Sequence, residues 1–124
     1  MKAIQIHHTG EPEVMRHVDL PDPQPGPGDA IVRAEVIGVG KPDVMIRTGV
    51  YPWMPPLPAI PGNEMVGIVE SLGPGVSRVE VGQRVLISAR ELPTRGGCYA
   101  EKIRVPADAL FVLPPSVDAF AAVC

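Results

Sequence analysis

The residues able to carry chemistry in this 124-residue sequence are few and scattered. His7, His8, His17, Cys98, Cys124, Asp43 and Glu64 are the types that suit metal binding, nucleophilic attack or proton transfer. His7 and His8 are adjacent in an alternating segment, which sends them to opposite faces of a strand, so they cannot grip one ion together. His17 could lie across a hairpin from one of them, a thin basis for a metal site. The cysteines form no C-x-x-C pair, and with no sign of export both read as free thiols. Cys98, with no histidine near it in sequence, reads as a buried small thiol and not a nucleophile. Gly38-Val39-Gly40 is followed by Lys-Pro, without the third glycine that a dinucleotide loop requires. Asp43 either caps the segment it opens or pairs with Arg47, four residues on.

The elements that would position these residues are mostly strands. Hydrophobic residues make up 45% and charged residues 20%, the balance of a globular domain. The 16 prolines and 13 glycines alternate with β-branched runs, which suggests short strands joined by fixed turns. Residues 2–8 and 14–20 read as an opening hairpin, and 21–28 as a proline-rich surface linker. Residues 29–39 form the most regular strand. Residues 41–48 change period: Pro42 suits a first helical turn, Val44 and Met45 can face inward, and Gly49 is a stop. Residues 51–61 are a proline-rich loop carrying Trp53 and Met54, expected to cap a pocket mouth. Residues 64–71 form a strand in which Gly67 marks a bulge or a close approach. Residues 84–88, 98–105 and 109–113 are three further strands. Ser116 is the expected N-cap of a helix that ends on apolar residues without a closing signal, so Cys124 reads as a cut.

The net charge of −3 is spread over the chain. No basic run interleaves with aromatics, so neither nucleic acid nor an anionic membrane is indicated as a partner. The apolar stretches fall short of a membrane span, and the first residues turn polar too soon for a signal peptide. A cytoplasmic, mainly β domain is the expectation.

Taken in order, four segments resemble the catalytic domain of medium-chain dehydrogenase/reductases. They are the opening hairpin, Val39-Gly40-Lys41-Pro42-Asp43 running on to Tyr51, Pro61-Gly62-Asn63-Glu64 running on to Gly73, and Gly96-Gly97-Cys98-Tyr99-Ala100-Glu101. Gly75 to Val85 also matches, with Gln83 where relatives usually carry Asp. The resemblance implies a GroES-like, partly open β-barrel with short helices over residues 1–115. Residues 116–124 would start the helix leading to an absent Rossmann domain. The zinc branch of that family carries Cys three residues before the helix Asp, and Gly-His-Glu in the later loop. Here those places hold Gly40 and Gly62-Asn63-Glu64. Glycine offers no side-chain ligand and asparagine is a poor one beside thiolate or imidazole. The four-cysteine lobe of the structural zinc is missing too, so no metal is expected.

Alcohol oxidation needs a hydroxyl proton lost at neutral pH, which zinc achieves by stabilising alkoxide. Reduction of a quinone or an α,β-unsaturated carbonyl gives a delocalised anion that hydrogen-bond donors can stabilise. The resemblance therefore implies an NADPH-dependent quinone reductase of the zinc-independent kind, acting on small conjugated carbonyls and dimerising through the absent domain. It places Gly40, Lys41 and Pro42 beside the nicotinamide, and Tyr51, Asn63 and Glu64 at the reacting centre. Relatives commonly carry Asn at the place of Gly40 and Tyr at that of Met45, so the pocket here would be roomier and more apolar. Plainer roles stand beside these: Tyr51 as a rim aromatic, Glu64 as a brace. Two other functions compete, a non-catalytic GroES-like binding or oligomerisation module and an alcohol dehydrogenase with altered zinc ligands.

Overall fold

The computed structural model describes residues 1–123; Cys124, and with it the expectation of a second free thiol, lies outside the described residues. The chain opens with strands β1 (Lys2–Gln5) and β2 (Arg16–Asp19), an antiparallel pair in which Ile4 faces His17. The main sheet takes β3 (Asp29–Gly38), β4 (Glu64–Leu72), β5 (Arg84–Ser88), β6 (Lys102–Pro106) and β7 (Phe111–Val112) in the order β6-β3-β4-β5-β7. Neighbouring strands are antiparallel throughout. Helix α1 (Lys41–Thr48) follows β3, and α2 (Ala119–Ala122) packs against β3 and β4. The mainly β architecture is as expected, but among the described residues the two sheets stay open and do not close into a barrel. Single bridges from Ala3 to Ala100 and from Ile6 to Ala59 dock the hairpin on the rest.

Two apolar clusters hold these layers. The larger one gathers Val32, Met65, Val69, Val85 and Ile87 from β3, β4 and β5, with Leu110 from just ahead of β7, all buried. The smaller joins Ile6, Ile46 and Ala59, with Val14, Tyr51 and Met54 packed on it. It is this second cluster that fixes α1 and the proline-rich loop.

Several local expectations are corrected. The opening strand ends at Gln5, because Ile6 turns away to exchange backbone hydrogen bonds with Ala59. His7 and His8 therefore lie exposed in a bend and not on a strand. Helix α1 has the expected bounds, with Gly49 in the left-handed region at φ 83°. Its inward residues are Asp43 and Ile46, however, while Met45 is half-buried and Val44 is exposed. Cys98 precedes β6 in a loop. The cap of α2 is Asp118 and not Ser116: its carboxylate accepts from the Ala121 amide at 3.2 Å.

Candidate functional site

The site is built around a buried acid. Asp43, 5% exposed, accepts from the Gly40 amide at 2.9 Å and from the Gly62 amide at 3.2 Å. The first bond caps α1 from its third residue, half of a capping box. The second ties the helix start to the loop ahead of β4. Capping is thus the role Asp43 takes. Pairing with Arg47 does not occur, because that guanidinium donates to the Gly10 carbonyl at 2.7 Å.

Asn63 extends the tie. Its Oδ1 accepts from the Gly96 amide at 3.1 Å, and its carbonyl accepts from the Ala89 amide at 2.8 Å. Next to Gly96, Arg95 donates to the Tyr51 hydroxyl at 3.2 Å and stacks over Trp53, 4.9 Å from the ring centroid. Tyr51 and Trp53 meet edge to face, their centroids 5.6 Å apart. A continuous path of hydrogen bonds and chain neighbours therefore runs from Gly40 through Asp43, Gly62, Asn63, Gly96 and Arg95 to Tyr51. A depression of roughly 420 Å³ opens beside it, lined by Trp53, Met54, Arg90 and Arg95 among others. A larger groove of roughly 770 Å³ lies between the hairpin and β3, lined by Lys2, His17, Arg33 and Glu35. It includes none of Gly40, Tyr51, Asn63 or Arg95 and is not this site.

The other expected residues are near but play different parts. Gly40 and Lys41 are exposed and Pro42 half-buried at the open end of α1. Glu64 begins β4, opposite Gly38 on one side and Ser88 on the other, and is exposed. Arg95 is absent from the expected set. Its only sequence signal is a cation immediately ahead of Gly96-Gly97, in a segment whose composition says nothing about what it folds over.

The described residues assemble no ligand set for a metal. Among the described residues, no group of three or more His, Cys, Asp or Glu is placed to hold an ion. Gly40 has no side chain to offer and the Asn63 oxygen is engaged, so the residues present do not fit a zinc ion.

Cys98 is fully buried, and burial, reinforced by the nearby Asp43 and Glu64 charges, pushes its thiol up to about 12. Burial and then Asp43 likewise push the Tyr99 hydroxyl up. The Cys98 thiol is therefore inert at neutral pH. Peptide mapping after iodoacetamide treatment at pH 8 is expected to find Cys98 unmodified in the folded protein and alkylated in urea. Because the unfolded thiol ionises near 9.0 and the folded one near 12, its stabilising contribution is intact below pH 9 and is lost as pH rises across that window. Urea unfolding should show a stability lower by about 1 kcal/mol or more at pH 10 than at pH 8.

Comparisons with known proteins agree with this frame. Residues 26–115 match the family model described as the alcohol dehydrogenase GroES-like domain. The quinone oxidoreductase of Salmonella typhimurium is 35% identical over 115 residues, 93% of this chain. The synaptic vesicle membrane protein VAT-1 homolog of Homo sapiens is 37% identical over 95 residues, 77% of this chain. The chain spans 34% of the first protein and 23% of the second. The solved structure of Escherichia coli quinone oxidoreductase complexed with NADPH superposes with a TM-score of 0.88 at 31% identity, covering 99% of this chain and 36% of that one. Hairpin, open sheet, capped first helix and these matches agree: the chain belongs to the alcohol dehydrogenase GroES-like domain family.

Proposed function

We propose that this chain forms the substrate side of an NAD(P)H-dependent oxidoreductase that reduces quinones or other α,β-unsaturated carbonyls without a metal. One observation carries the reading: the two positions that would ligate zinc hold a bare Gly40 and an Asn63 whose oxygen is spent on the Gly96 amide. Charge growing on a substrate oxygen is then met by hydrogen bonds or water. The relatives' printed names and the NADPH in the Escherichia coli complex support the same reaction class. Residues 1–115 would be the substrate-side domain and 116–124 the lead into a nucleotide-binding domain. Dimerisation through that domain and a cytoplasmic location belong to the same reading.

The nicotinamide, when bound, supplies the hydride. Gly40, Lys41 and Pro42, at the open end of α1, would meet its reacting end, and the missing side chain at Gly40 admits a flat ring. The Gly40 amide is committed to Asp43, so contact there would be by shape and not by that donor. Tyr51 would donate to the substrate carbonyl. Asn63 would hold the loop that carries Arg95, and Glu64 would line the far side.

The test is anaerobic NADPH oxidation by the full-length protein with a panel of quinones and enones, with and without EDTA. Turnover with at least one conjugated carbonyl, unchanged by the chelator, is expected. One equivalent of tightly bound zinc whose removal abolishes turnover would overturn the proposal.

A further inference from the structure

We propose that Arg95 is a positioning residue for Tyr51, holding its hydroxyl from the oxygen side so that the phenolic proton is left to meet a substrate carbonyl. The proposal rests on the reductase reading above and adds a residue which that reading does not need. A guanidinium carries donors and no acceptor, so in the 3.2 Å contact Arg95 donates and the Tyr51 oxygen accepts. The phenolic proton cannot point back at the arginine. It is directed elsewhere.

The guanidinium is held by more than this bond. It stacks on Trp53, an arrangement that suits the planar Arg group. The following residues are clamped from behind: the Gly96 amide donates to Asn63 Oδ1, and the Gly97 amide donates to the Ile60 carbonyl at 2.6 Å. Gly96 adopts φ +95°, and a Cβ there would lie 2.7 Å from the Ile60 oxygen, so the loop approaches that backbone as only glycine can. Tyr51 is restrained in its turn by the Ile6, Ile46 and Ala59 cluster and by Trp53.

The consequence is electrostatic. As negative charge grows on a substrate oxygen that accepts from Tyr51, a fixed positive charge already stands one hydrogen bond behind the phenol. That is the preorganised arrangement which stabilises an oxyanion without reorganisation. The role is hydrogen bonding throughout, with no covalent change at either side chain. Asn63, at the place of a zinc ligand, thereby serves the reacting oxygen indirectly, by anchoring the loop that carries the cation.

The experiment is a double-mutant cycle in the full-length protein, with NADPH and 1,4-naphthoquinone as the probe. Arg95→Met and Tyr51→Phe should each lower kcat about tenfold, with KM changing much less. Adding Arg95→Met to Tyr51→Phe should lower kcat by less than about twofold further, and Arg95→Lys should recover part of the loss. Additive losses, or an Arg95→Met enzyme as active as wild type, would overturn the proposal. A wild-type protein inactive on every conjugated carbonyl would sink the reductase reading instead. The bond itself is read without turnover, from the NMR signal of a 13C label at Tyr51 Cζ, assigned by its loss in Tyr51→Phe. That signal should shift in Arg95→Met, and a signal that stays put overturns the positioning role.

Discussion

Asp43→Ala is expected to cost about 3 kcal/mol of stability, read as a lower urea midpoint at unchanged slope. Two losses combine. The first is an N-terminal cap, since the Gly40 amide loses its acceptor, and such a loss is worth about 1 kcal/mol. The second is larger. Gly62 is buried, so its amide, which donates to Asp43 at 3.2 Å, is left without a partner away from water. A stranded donor of that kind costs about 1–3 kcal/mol. Asp43→Asn keeps one carbonyl oxygen but turns an NH₂ toward the other amide, so it should fall between alanine and wild type. If Asp43→Ala unfolds like wild type, the tie between α1 and the Gly62 loop is not what holds the site.

The cap of α1 was legible in the sequence and the tie was not. Pro42, Asp43 and Gly49 are local signals, and they set the bounds of the helix at Lys41 and Thr48. Which face turns inward is set by what the helix docks on. Asp43 and Ile46, three residues apart, share the buried face because one meets the Gly62 loop and the other the Ile6–Ala59 bridge. Val44, far more apolar than the buried Asp43, is left outside. Hydrophobicity alone could not separate them.

The same limit explains the Cys98 segment. Its apolar pattern resembles a strand, and its amides are indeed paired in an extended manner. Their partners, however, are the carbonyls of Ile60, Pro61 and Gly62, which belong to a loop. The positive φ of Gly96 and Gly97 bends the chain into that contact. Arg95 was illegible for a related reason. Its neighbours in space, Tyr51 and Trp53, are over forty residues away in sequence, and nothing local marks the pairing. The bare Gly40 and the Asn63 substitution were legible, because what a side chain lacks can be read without knowing where it lies.

Gly67→Ala is expected to cost about 3 kcal/mol or more. The sequence marked Gly67 as a bulge or a close approach within β4, and the structure shows the approach. A Cβ there would fall on the Arg33 carbonyl oxygen of the neighbouring strand and lie 2.7 Å from Val32 Cγ1. Backbone cannot step aside as a flexible side chain would, so β3 and β4 must separate where both are buried. Gly40→Ala is the control. Gly40 has φ −134°, open to any residue, and a Cβ would meet nothing closer than Pro42 Cδ at 3.5 Å. Its unfolding midpoint should match wild type within about 0.5 kcal/mol. A Gly67→Ala protein as stable as Gly40→Ala would contradict the packing of β3 against β4. If the contrast holds, the two glycines have different causes. Gly67 is bare because the sheet has no room, whereas nothing in the fold requires Gly40 to be bare, and the reason for its missing side chain is to be sought in what approaches α1 from outside.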